Sequence, residues 1–152
     1  MNNSIKKRIL PDGCFIILLA GAILFHFIFP IQMIISHSYN YLGIVVITIR
    51  VAMTLLVNSQ LLKSGNSIKT YEPPSILITS GLFKYSRNPL YLGMAIALFG
   101  VNIIFGSISP YIFSILFIII IDRFFIPLEE ENLERNFGKK YTEYKKKVRR
   151  WI

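Results

Sequence analysis

Four apolar blocks, separated by shorter polar stretches, set the pattern of this chain. The first, residues 14–35, is 22 residues without Lys, Arg, Asp or Glu, enough helix to cross the ~30 Å hydrocarbon core of a bilayer. Pro30 is expected to kink it, which neighbouring helices tolerate. The second block, 41–62, carries Arg50 near its middle. Thr54 and Asn58 follow one and two turns later, on the same side of a helix. The third block, about 89–105, is shorter and opens on Pro89, a residue suited to a first helical turn. The fourth, about 108–127, is built around ILFIIII. Beyond Pro127, Leu133, Phe137, Tyr141, Tyr144, Val148 and Trp151 recur at three- and four-residue spacing, with Lys and Arg opposite. That is a basic amphipathic helix over about 128–150, with Gly138 its weak point. The pattern predicts an all-α integral membrane protein. It has about four transmembrane helices and a C-terminal amphipathic cytoplasmic helix, in one domain covering 1–152.

Composition agrees. Of 152 residues, 53% are hydrophobic, above the usual globular share, and the net charge is +9. Basic chains often bind nucleic acid, but here the cations sit between and after apolar blocks, so no nucleic-acid partner is expected. The N-terminus, the 63–88 loop and the tail are basic, while the turns 36–41 and 106–110 carry no Lys or Arg. Four spans with both termini cytoplasmic satisfy the positive-inside rule. The basic start and first apolar block imitate a signal peptide, but the block is too long and lacks a clear cleavage site, so it reads as a retained helix. The single Cys14 excludes an internal disulfide and a Cys-based metal site, and no other metal spacing or nucleotide-binding loop is present.

Two stretches depart from plain membrane helix. In 80–93, Arg87, Asn88, Pro89 and Tyr91 stand at the mouth of the third block. In 129–151, Glu129, Glu130 and Glu131 open the tail, where carboxylates suit a helix N-terminus. Carboxylates hold ribose hydroxyls or an ammonium, helix N-termini hold carboxylates or phosphates, and tyrosines cover a base or a sulfonium. Together they describe a site for a zwitterionic, nucleoside-containing cofactor. Arg50 is either a structural polar residue between helices or a cation aimed at an anionic group. Asp122 and Arg123 end the fourth block as an interfacial pair. His26 reads as a residue facing other helices.

The run RNPLYLG at 87–93, with its lead-in ITSGLFKYS, resembles the R-[HN]-P-x-Y-x-G signature of a family of membrane methyltransferases. That family includes isoprenylcysteine carboxyl methyltransferase and the phospholipid N-methyltransferases. The tail matches too, at Glu129, Glu130, Leu133, Phe137, Gly138, Tyr141, Tyr144, Val148, Arg150 and Trp151. The resemblance implies S-adenosylmethionine as methyl donor, with Arg87, Asn88, Pro89, Tyr91 and Gly93 lining its pocket and Glu129 and Glu130 holding its polar groups. It implies a lipid or lipid-modified acceptor at the cytoplasmic face. A carboxylate acceptor needs only a cation to position it, for which Arg50, Arg123 and Lys84 are candidates. An amine acceptor needs a base. Asn88 stands where the eukaryotic enzymes have His, and an amide cannot act as that base. A sterol-type reductase using NADPH carries a related motif, but Leu90 and Met94 depart from it. A non-catalytic membrane subunit is the other alternative. The Ile- and Lys-rich composition points to a prokaryotic inner or plasma membrane.

Overall fold

A computed structural model describes residues 11–29, 31–65 and 75–152. The basic start and most of the 63–88 loop, including Pro73 and Pro74, lie outside the described residues. Helix α1 is Pro11–Ile28, α2 is Leu42–Lys63, α3 is Pro89–Phe105 and α4 is Tyr111–Ile120. A π turn, Ile121–Phe125, joins α4 to α5, Ile126–Phe137, and α6 is Lys139–Lys147. Among the described residues there is no strand, only an isolated bridge between Met33 and Ser107. Among the described residues, three helical stretches are long and apolar enough to cross a membrane: Pro11–Ile28, Leu42–Lys63 and Tyr111–Phe137. Helix α3 is apolar but shorter, 17 residues.

Two expectations need correction. The first helix does not run to residue 35 with a kink. It ends at Ile28, just before Pro30, and 31–36 leave the helix. A proline restricts the residue before it to extended backbone, so ending there avoids a lost hydrogen bond inside the helix. The fourth span does not stop at Pro127. Pro127 cannot donate a backbone hydrogen bond, and the helix widens into the π turn immediately before it and continues to Phe137. The tail is therefore two helices, broken at Gly138, whose φ of 52° favours glycine.

Helices in lipid gain little from hiding apolar surface from one another, so close packing takes over. The α2–α3 seam shows this. A Cβ on Gly43 would sit 2.3 Å from the Gly100 carbonyl, and one on Gly100 would sit 2.8 Å from Ile47. The two backbones touch because neither glycine has a side chain. Asn102 donates to Ser114 at 2.8 Å, tying α3 to α4. Around them Tyr91, Met94, Leu98, Phe117, Ile121 and Ile126 form the core, with Phe15 and Trp151 packed against it. Many other large apolar side chains face outward: Ile16 is 62% exposed and Leu55 65%. An outer surface of this kind suits lipid contact.

At the end of the molecule away from Arg87, the 31–36 segment meets the turn after α3. The Ile34 and Ile35 amides both donate to the Gly106 carbonyl. His26 Nδ1 lies 2.7 Å from Ser107 Oγ, and the ring stacks on Phe105. His26 thus faces another element of the fold.

Candidate functional site

The opposite end brings the two unusual stretches together. Chain 81–84 makes a single 3-10 turn after Ser80, and α3 begins at Pro89, so residues 85–88 form a short loop whose amides need partners. The tail supplies them. The Arg87 amide donates to the Arg149 carbonyl at 3.0 Å, while Ser86 Oγ and Asn88 Nδ2 both donate to the Arg150 carbonyl at 3.1 Å. Val148 leaves the helix in an extended conformation, so the last residues lie as a strap along the loop. Tyr144 adds a bond from its hydroxyl to the Phe83 carbonyl at 2.5 Å.

Charge then locks the arrangement. Glu130 is 5% exposed. It pairs with Arg87 at 2.9 Å, with Arg150 through two bonds of 3.0 Å, and with Lys145 at 3.3 Å. A buried carboxylate facing three cations has its charge compensated, and the bidentate Arg150 contact fixes its geometry. Bonds to Glu130, and then the charges of Glu130 and Asp122, raise the Arg150 pKa above its ordinary value against the cost of burial. Lys145 is raised in the same way, first by its bond to Glu134. Burial, with Tyr141 beside it, pushes Tyr144 up to about 12. Asp122 does not pair with its neighbour Arg123. It accepts from Trp151 Nε1 at 3.1 Å and faces Arg150 at 3.4 Å.

Glu129 differs from Glu130. The Tyr91 hydroxyl donates to it, and among the described residues it has no cationic partner. Arg87 keeps its Nε buried and without an acceptor, while its Nη1 reaches Tyr141 at 3.3 Å. Of the residues singled out from sequence, Arg87, Asn88, Pro89, Tyr91, Glu129 and Glu130 thus gather around the start of α3. Gly93 lies one turn further, against Arg50. Arg123 and Lys84 are exposed and form no ion pair among the described residues. Thr54 and Asn58 do not join Arg50 in a network; the Thr54 hydroxyl turns back to the Arg50 carbonyl. The sequence reading did not anticipate Ser86, Lys145 or the two tail carbonyls as holding groups. The repeated cations of the last turn were the available signal for Lys145, but backbone acceptors leave no trace in side-chain identity. A cavity of about 520 Å³ opens next to this cluster, lined by Leu77, Thr79, Phe137, Lys140 and Tyr144. It does not reach Tyr91 or Glu129, so it is separate from the paired carboxylates.

A family model for phospholipid methyltransferases matches residues 38–140, which contain both α3 and the paired carboxylates. The chain belongs to the phospholipid methyltransferase family. Among curated proteins it is 38% identical over 63 residues to an uncharacterized protein of Haemophilus influenzae, covering 41% of this chain and 100% of the relative. It is 34% identical over 76 residues to the protein-S-isoprenylcysteine O-methyltransferase of Schizosaccharomyces pombe, covering 48% of this chain and 31% of that enzyme. It is 36% identical over 75 residues to protein-S-isoprenylcysteine O-methyltransferase B of Arabidopsis thaliana, covering 47% and 36%. The chain thus spans about a third of the length of these two named relatives. No solved structure matches. Membership in the phospholipid methyltransferase family agrees with the resemblance drawn from the two motifs.

Proposed function

We propose that this chain is an S-adenosylmethionine-dependent methyltransferase acting on a lipid-like, membrane-embedded acceptor. The observation that carries the reading is the joining of two distant stretches. Tyr91 holds Glu129 and Arg87 holds Glu130, and groups are left over on both sides. The residues fit such a donor. Glu129, partnered only by a hydroxyl among the described residues, suits its ribose hydroxyls or ammonium. The orphaned Nε of Arg87 suits its carboxylate. The Glu130 cluster, already saturated, serves to hold the two halves in register.

S-adenosylmethionine supplies a methyl group already activated on a sulfonium. What the protein adds is alignment and exclusion of water. Tyr91 orients Glu129 through its hydroxyl, and the buried side of α3 keeps water from that pair. The asparagine at 88 is occupied with the Arg150 carbonyl, which supports a structural role for it and none as a base. The apolar outer surface supports delivery of the acceptor from the bilayer, and the distribution of Lys and Arg supports a cytoplasmic position for the Arg87 end.

Calorimetry on detergent-purified protein tests this reading. S-adenosylmethionine is expected to bind and NADPH is not, and Glu129→Ala should weaken the binding at least tenfold. Binding of NADPH without S-adenosylmethionine would reject the reading. Labelled S-adenosylmethionine incubated with membranes then reports which lipid or protein fraction gains the methyl group.

A further inference from the structure

Arg50 stands eight residues after the start of α2 and thirteen before its end, inside a helix long enough to span the membrane. Charges at such depth seldom face lipid and usually pair with another group. Arg50 does not. Its Nε is buried without a hydrogen-bond partner, and its side chain makes no hydrogen bond or ion pair among the described residues. Arginine does not escape the cost of burial by losing its proton, as lysine can.

Its surroundings add a second observation. Gly43 opposes Gly100, and seven residues along each antiparallel helix Arg50 opposes Gly93, so Arg50 continues the same seam. At the first pair a side chain is impossible. At the second it is not: a Cβ on Gly93 would meet only the Arg50 Cγ, at 3.6 Å, an ordinary contact. Packing against the protein therefore does not demand glycine at 93. The glycine puts only the stem of a half-buried, unpaired arginine against this face of α3, one helical turn beyond Pro89 and two residues after Tyr91.

We infer that Arg50 is the anchor for an anionic lipid group, a carboxylate or a phosphate, held beside Gly93 at the start of α3. A planar guanidinium suits either oxyanion through two parallel bonds. Arg50 acts here as a positioning residue: it holds the acceptor's charged group and takes no part in bond making. Resting on the methyl-transfer reading, this makes the acceptor an anionic lipid.

The test is binding of three lipids to detergent-purified full-length protein, followed by native mass spectrometry: palmitate, dipalmitoyl phosphatidic acid, and the neutral dipalmitoylglycerol. The wild type should prefer at least one anionic lipid over the neutral one. Arg50→Gln should lose that preference by at least tenfold, with S-adenosylmethionine affinity by calorimetry unchanged. Preference for palmitate identifies a carboxylate head, and preference for phosphatidic acid a phosphate. Equal binding of all three lipids, or a preference unaltered in Arg50→Gln, overturns the inference. Should Arg50→Gln fail to fold, Arg50→Lys decides: it keeps the charge and loses the fork, so at least a threefold loss supports the anchor and no loss overturns it. A wild type that binds anionic lipid through Arg50 but not S-adenosylmethionine defeats the methyltransferase reading alone.

Discussion

Glu130→Gln is the substitution whose effect the structure defines best. The Glu130 and Arg87 side chains are 7% and 8% exposed and 2.9 Å apart, so both charges are out of water. Glutamine keeps the shape and removes the compensating charge. Stranding one member of a buried pair costs about 3–5 kcal/mol. Arg150 and Lys145, at 32% and 36% exposure, recover hydration and add little, which favours the lower end of that range. For a chain of this size about 3 kcal/mol corresponds to a fall of roughly 6–12 °C in the unfolding midpoint. The assay is thermal unfolding of detergent-solubilised protein followed by circular dichroism. Glu131→Gln is the control: its partner Arg135 is 69% exposed and Glu131 66%, so its loss should cost less than about 1 kcal/mol. Arg87→Met combined with Glu130→Gln should recover part of the loss, because no stranded charge remains at Arg87. A Glu130→Gln midpoint within about 1 °C of the wild type, or a double variant worse than the sum of the singles, would show that the pair is not buried as described.

Gly43→Val should lower stability by about 1–3 kcal/mol by forcing α2 off the Gly100 carbonyl, while Gly93→Ala should change it by less than about 1 kcal/mol; the same unfolding assay compares them. Tyr91→Phe removes the hydroxyl that orients Glu129, and a bond to a carboxylate worth about 1.5–3 kcal/mol implies S-adenosylmethionine affinity lower by about tenfold or more in calorimetry. Lys145 has its pKa raised in the folded state, first by its bond to Glu134. Its contribution is therefore full below its ordinary value of 10.5 and disappears as pH rises through the raised one. With its side chain 36% exposed, it should account for less than about 1 kcal/mol, seen as a difference between wild type and Lys145→Met that vanishes in strongly alkaline melts.

The helices were legible because hydrocarbon thickness imposes long uncharged runs, and α2 and α3 follow the apolar blocks closely. Their ends were less so. Pro30 and Pro127 look alike in sequence, yet α1 ends before the first and the last long helix passes through the second. The difference is the π turn, which no residue pattern announces. In the site, the meeting of the stretches around Arg87 and Glu129 could be read from the two motifs. The unequal roles of Glu129 and Glu130 could not. Adjacent glutamates read identically, and only the fold puts Arg87, Lys145 and Arg150 around one and Tyr91 beside the other. Asn88 looked like a catalytic departure, and the structure gives its amide a backbone carbonyl to hold.

The π turn at Ile121–Phe125 has one more consequence. Each residue added to a helix turns everything beyond it by about 100° around the axis. A turn that accommodates one extra residue therefore works as an angular offset between the membrane-facing part of this helix and the charged part that follows. With the turn in place, Ile121 and Ile126 both point into the core while Glu129 and Glu130 look toward α3. Removing the exposed Phe124 would restore regular helix, leave Ile121, Asp122 and Phe125 in the chain, and aim both carboxylates away from Tyr91 and Arg87. The phase of this one helix, as much as the identity of its glutamates, decides whether the two halves of the site meet.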